Sequence, residues 1–293
     1  MNTYERITEA LIERIEAGDI PWRKPWNAEH GMPLRWSGAP YRGINIWMLA
    51  SRGFTSPTWL TFKQARKAGG SVRKGEKGTP VVFWKRIEKR DADTDQLRHI
   101  PVLKGFTVFN IGQCEGVDDP NAEQIKQAAP IDTDATCEAI VANYKGTPRV
   151  ATGGGRACYS PALDIVSLPD RNAFESTGSY YSTLFHELAH STGHRTRLKR
   201  DGICNHAAFG DHRYSREELV AEFAASFLCG VAGIAEREPD TETNSVAYLQ
   251  GWVKKLRQNP KELVTAAAQA QRAVDWIQGK RYEKGEAEEQ AAA

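Results

Sequence analysis

The sequence predicts an α+β protein built as two domains, and three observations predict it. The 293 residues exceed the usual size of one domain, and a hydrophobic content of 40% suffices to bury cores. Charge is divided unevenly: residues 1–110 hold 19 Lys and Arg against 11 Asp and Glu, whereas the remainder holds 20 against 26. Six of the eight tryptophans also lie in the basic part. Finally, "GVDDPNAEQIKQAAPIDTD" is acidic, contains proline and is poor in large apolar residues, as linkers are. The expected division is a basic, Trp-rich domain over 1–115, a linker over 116–132, a second domain over 133–283 and a disordered tail over 284–293.

In the first domain, Ile7, Leu11 and Ile15 recur every four residues, which gives a helix one apolar stripe before Gly18. "INIWMLASRG" reads as a short helix stopped by Gly53, and "SPTWLTFKQARKAGG" as another starting at Ser56 or Thr58. "GTPVVFWKRIEK" and "KGFTVFNI" are rich in β-branched and aromatic residues and are separated by a polar stretch, so they read as an antiparallel pair.

Cations and aromatics alternate through this half. Backbone phosphates attract Lys and Arg, while unpaired bases stack on aromatic faces, so the pattern suits single-stranded nucleic acid. The residues expected to carry it are Arg23, Lys24 and Trp26 in "PWRKPW", and Arg35, Trp36, Tyr41 and Arg42 in "PLRWSGAPYRG". Arg73, Lys74, Lys77, Trp84 and Lys85 of "SVRKGEKGTPVVFWKR" complete the set. The competing reading is a solvated basic face over a core of tryptophans. No helix-turn-helix, zinc-finger or basic-zipper signature points to a reader of duplex sequence.

No apolar run is long enough to span a bilayer, and the charged, amphipathic start is not a signal peptide, so no membrane role and a cytoplasmic location are expected. The five cysteines form no Cys-x-x-Cys pair and imply neither a disulfide framework nor a zinc ribbon.

"FHELAHSTGH" carries the chemistry of the second half. His186 and His190 are four apart, on one face of a helix, and can share one metal ion, while Glu187 stays free as a general base. The expected ion is Zn2+, although another divalent metal suits the same donors. Thr196 stands where a metzincin places its third histidine, which removes that pattern. His194 lies too far along the helix to replace it, and either caps the helix end or touches substrate.

A second helix, "SREELVAEFAASFLCG", offers Glu218 and Glu222, with Ser215 as the expected N-cap. One of the two glutamates can ligate the metal while the other accepts a hydrogen bond from a ligand histidine. Upstream, the active helix is expected to start at Ser179 or Ser182, and "PALDIVSLPD" reads as an edge strand able to pair with a substrate backbone. "DHRY" offers His212 and Tyr214 either as oxyanion donors or as an ordinary surface pair.

The arrangement resembles the gluzincins, in which His-Glu-x-x-His is followed by a glutamate on a second helix. That resemblance implies Glu218 as the third ligand and Glu222 as the partner of a ligand histidine. Over nearly its whole length the chain also resembles ArdC-type antirestriction proteins of conjugative plasmids, through "RGINIWML", "VFNIGQCEG", "HELAHSTGH" and "EELVAEFAASFL". The resemblance implies an N-terminal domain that binds single-stranded DNA, a zincin-like metallopeptidase domain, and protection of incoming plasmid DNA from host restriction. It leaves open whether the metal site cleaves a host restriction or other DNA-associated protein, cleaves a repressor when DNA triggers it, or only stabilises a module that coats DNA.

Overall fold

The protein is described from a computed structural model, which covers residues 2–18, 20, 22, 31–90, 97–127, 131–205, 212–234 and 246–280. Arg23, Lys24, Trp26 and the tail 284–293 lie outside the described residues, as do the side chains of His212, Tyr214 and Ser215.

Helix α1 (Thr3–Glu16) begins in a capping box formed by Asn2 and Glu5, and its buried stripe is Ile7, Leu11, Ile12 and Ile15. Strand β1 (Leu34–Arg35) and helix α2 (Ile44–Ala50) follow, the latter buried along almost its whole length. Strand β2 (Thr58–Leu60) occupies residues expected to open a helix; α3 (Phe62–Lys67) starts later, where Thr61 and Gln64 form a capping box. The β-branched and aromatic "TWL" favours the strand over the nearer Ser56 or Thr58 caps. Strands β3 (Ser71–Val72), β4 (Thr79–Arg90), β5 (Leu97–Asn110) and β6 (Cys114–Glu115) complete the sheet elements of this half. β4 and β5 form the expected antiparallel pair, in register from Thr79↔Val108 to Arg90↔Leu97, inside a sheet of order β1-β2-β5-β4.

The segment expected as a linker runs back along this sheet. Asp119 accepts a hydrogen bond from Thr58 Oγ1 (2.9 Å), and the buried Asn121 donates to the Arg35 carbonyl (3.0 Å) before α4 (Ala122–Gln127).

The second half opens with α5 (Thr133–Asn143), then β7 (Arg149–Thr152), β8 (Cys158–Ser160) and β9 (Ile165–Leu168). The sheet order is β7-β9-β8, with β9 parallel to β7 and antiparallel to β8. Both edges of β9 are therefore paired, and the free edge beside the active helix belongs to β8. Helix α6 (Thr177–Ser191) carries the His-Glu-x-x-His residues and starts before both Ser179 and Ser182, because Ser176 and Ser179 form a capping box. After α7 (Asp201–Cys204), α8 (His212–Val231) also begins before its expected Ser215 cap, so Ser215 lies within the helix. Helices α9 (Val246–Gln258) and α10 (Lys261–Ile277) close the fold.

Charge divides the chain, but its largest core does not. One buried cluster joins Ile7 and Leu11 of α1 and Trp47 of α2 to Phe223 and Phe227 of α8 and to residues of α9 and α10. Trp47 lies 4.3 Å from Phe223 and 4.7 Å from Phe227 between ring centroids. Polar ties follow the same seam: Thr8 donates to the Pro260 carbonyl (2.8 Å), Gly43 N–H to Gln271 (3.0 Å), and Arg42 pairs with Asp275. Several tryptophans of the basic half are thus structural, as large aromatics in a core usually are.

Candidate metal centre

The site forms where α6 crosses α8. Four-residue spacing puts His186 and His190 on the same face of α6, with their Nε2 atoms 3.0 Å apart. Glu218 of α8 faces both, its carboxylate oxygens lying 3.4 Å from His186 Nε2 and 3.6 Å from His190 Nε2. Two atoms bound to one ion at 2.0–2.1 Å in tetrahedral geometry stand about 3.3 Å apart, so these three side chains have the spacing of a closed ligand set. Among the described residues this trio is the group of His, Cys, Asp and Glu close enough to hold an ion.

Each histidine is gripped on its other nitrogen. Glu222 lies 3.4 Å from His186 Nδ1, and Glu217 lies 3.4 Å from His190 Nδ1. A carboxylate at Nδ1 fixes the proton there and leaves Nε2 to bind an ion. The gluzincin resemblance implies Glu222 beside a histidine, whereas nothing in the sequence singled out Glu217. The paired glutamates of "REEL" were visible, but which of two adjacent carboxylates meets a histidine depends on the crossing of two helices.

Electrostatics favours positive charge here. Burial opposes charging of both imidazoles, yet hydrogen bonds donated to Glu218 and Glu222 push the His186 pKa up to about 9. His190 is likewise raised well above its usual value, against burial, by Glu218, Glu217 and the nearby charge of Glu187. Burial also opposes ionisation of Glu218, but the two histidines hold it well below the usual carboxylate range. Carboxylates packed against imidazoles in this way make a site suited to a cation.

Glu187 is buried, 8% exposed, beside the ligands but outside the trio. His194 is half-buried and turned to Thr196, its Nδ1 2.8 Å from Oγ1, in the turn that ends α6. That turn is held by Arg197, whose guanidinium donates to the Ser191 carbonyl (2.9 Å) and grips Asp164 between β8 and β9 (2.7 Å). Asp164 also accepts from Tyr159 of β8 (2.8 Å), so the sheet edge and the end of the active helix are tied together.

Among the described residues, those expected to bind DNA are not gathered on one surface. Tyr41 is buried in a second small core with Leu49, Trp59, Val81 and Val108, and Arg42 pairs with Asp275, so both have interior partners. Trp84 packs edge-on against Tyr4, 6.4 Å away, and Trp36 and Arg35 are half-buried. Lys74, Lys77 and Lys85 are exposed; Arg73 is too, but pairs with Glu76 (3.0 Å). An unforeseen aromatic joins them: Phe106, 44% exposed, meets Phe83 edge-to-face at 5.4 Å. Register places Lys104 opposite Phe83 and Phe106 opposite Val81, so Phe83, Lys85, Lys104 and Phe106 share a face of the β4–β5 pair.

A His-Glu-x-x-His helix, a second helix supplying a glutamate, and a small sheet with an antiparallel edge define a zincin-like metallopeptidase domain. Residues 135–269 match the family described as zincin-like metallopeptidase, and residues 1–109 match the N-terminal domain of anti-restriction factor ArdC. The metal-free crystal structure of antirestriction protein ArdC from plasmid R388 is 38% identical, with a TM-score of 0.73 over 95% of this chain and 97% of that one. The Mn(II)-bound structure of the same protein is 37% identical, with a TM-score of 0.74 over the same shares. This chain belongs to the ArdC antirestriction family. It is also 32% identical to protein y4eC of Sinorhizobium fredii, across 99% of this chain and 96% of that one. Two Escherichia coli proteins named DNA primase TraC are 37% and 36% identical over 94% of this chain, which spans 27% and 20% of their respective lengths.

Proposed function

We propose that this protein is a cytoplasmic antirestriction factor that binds single-stranded DNA through its N-terminal domain and hydrolyses a peptide bond of a DNA-associated host protein at a zinc site in its C-terminal domain. Its biological effect is to protect incoming plasmid DNA from host restriction during conjugation. One observation carries the hydrolytic part: His186, His190 and Glu218 stand at coordination spacing, with Glu187 beside them but outside the ligand set.

His186, His190 and Glu218 would hold a divalent ion, which would supply Lewis-acid activation of water and of a substrate carbonyl. Glu187 accepts a proton from the attacking water and returns it to the leaving amine, as a general base and then acid. Glu222 and Glu217 hold the two imidazoles in the tautomer that leaves Nε2 for metal. The edge of β8 lies on the side of the sheet nearest α6 and offers backbone groups to an extended substrate. Support for DNA binding comes from the exposed cations Lys74, Lys77, Lys85 and Lys104 and from the exposed ring of Phe106, which shares one face of the β4–β5 pair with Lys85 and Lys104 and adds a stacking surface to charge for phosphates.

The test is a conjugation assay into a restricting recipient, comparing wild type with Glu187→Gln. Oligonucleotide affinity and bound metal are measured on both proteins. Loss of protection with affinity and metal retained is the expected result. Full protection by Glu187→Gln would overturn the hydrolytic role and leave DNA coating as the function.

A further inference from the structure

Arg200 lies on the turn after α6, outside the ligand set, yet its guanidinium is as buried as a core residue, with a side-chain exposure of 7%. We infer that Arg200 is a positioning residue for the metal centre: acting through Glu217, it fixes His190 and thereby sets how tightly the site holds its ion.

The geometry gives Arg200 two grips. One is on α8, where Nη2 and Nε donate to the two oxygens of Glu217 at 2.6 and 2.9 Å, the bidentate fork that arginine forms with a carboxylate. The other is on the last turn of α6, where Nη2 donates to the Ala189 carbonyl (2.7 Å) and Nη1 to Thr192 Oγ1 (2.6 Å). One side chain thus braces the helix that supplies both histidines against the helix that supplies Glu218. A cation at the carbonyl end of α6 also complements the helix dipole.

The consequence for the metal runs through Glu217. Its Oε1 faces His190 Nδ1 at 3.4 Å, while Nε2 of the same ring points at the ligand set. Glu217 adjoins Glu218 in sequence, and a carboxylate free to rotate there would compete for the ion. The fork holds both oxygens of Glu217 and keeps it facing the far nitrogen of His190.

Gly193 makes room for this brace. A Cβ at that position would stand 2.6 Å from Ile203 Cγ1 and 3.1 Å from Arg200 Nη2. The glycine that the sequence shares with the metzincin pattern serves here to let a guanidinium reach the end of the active helix. Lysine could not replace the arginine, because a single ammonium cannot hold both Glu217 oxygens and the α6 carbonyl in one plane.

The experiment is a double-mutant cycle in Zn2+ affinity, measured by chelator competition on the full chain, for wild type, Glu217→Gln, Arg200→Gln and the double variant. Each single change is expected to weaken Zn2+ binding by about 10- to 100-fold, the usual effect of removing a residue that orients a ligand. The double variant is expected to be no weaker than the worse single one. The Co2+-substituted single variants should show shifted d–d absorption with unchanged far-ultraviolet circular dichroism, which a loss of general stability would not produce. If Arg200→Gln does not fold, Arg200→Lys replaces it in the same cycle and should still weaken Zn2+ binding. Wild-type affinity in Glu217→Gln would overturn the inference, as would losses that multiply in the double variant.

Discussion

Replacing Trp47 by Ala tests whether the N-terminal half and the zincin-like half stand on one core. The ring is fully buried, packs on Phe223 and Phe227 of α8 at 4.3 and 4.7 Å, and donates to Ser226 at 3.4 Å. Truncating a buried tryptophan costs about 3–5 kcal/mol, because the transfer energy of the ring is lost and the cavity closes only in part. The buried Ser226 hydroxyl also loses a donor, which moves the expected cost toward the upper end of that range. With a urea m-value of about 1–3 kcal/mol per M, the midpoint should fall by about 1 M or more. Unfolding is followed by tryptophan fluorescence and, on the zinc-loaded protein, by release of the ion. A shared core requires both transitions to move together. If the fluorescence transition moves while ion release stays at its wild-type midpoint, the two halves fold independently and the reasoning fails.

Other outcomes follow from the same geometry. The raised pKa of His186, about 9 against an ordinary 6.5, means that its protonated form stabilises the ion-free fold fully below pH 6.5 and loses that contribution as pH rises through 9. Melting temperature of ion-free protein should therefore fall between those pH values, while zinc-loaded protein, whose ligands are already deprotonated, should show no matching fall. Phe106→Ala should weaken oligonucleotide binding by about 1–3 kcal/mol, the worth of one stacked base, with an undiminished effect at high salt. Reversing Lys74, Lys77 and Lys85 to Glu should weaken binding and flatten its salt dependence, as read by fluorescence anisotropy. Gly193→Ala, with its Cβ 2.6 Å from Ile203, should lower stability by about 1–3 kcal/mol through overpacking, measured by urea unfolding.

The candidate metal trio was legible in large part because its spacing is local. Four-residue spacing on one helix places His186 and His190 together whatever the rest of the fold does, and the gluzincin pattern pointed to Glu218 before the crossing of α6 and α8 showed it facing both rings. Glu217 and Arg200 were not legible, because they meet only through that crossing and a turn whose path no periodicity encodes. The antiparallel pair of strands was likewise written in its β-branched and aromatic runs. The place of β9 in its sheet was not, since strand order depends on contacts distant in sequence. Cation and aromatic alternation does not encode burial, which encloses Tyr41 and pairs Arg42 with Asp275, nor the strand register that sets the exposed ring of Phe106 against Phe83.

The most direct test of the metal centre is ion content after dialysis against dilute Zn2+ for wild type, Glu187→Gln and Glu218→Gln. One ion per chain is predicted for the first two, and none for Glu218→Gln, which loses the third ligand. One ion retained by Glu218→Gln, or lost from Glu187→Gln, would contradict the division between ligand and base on which the account rests.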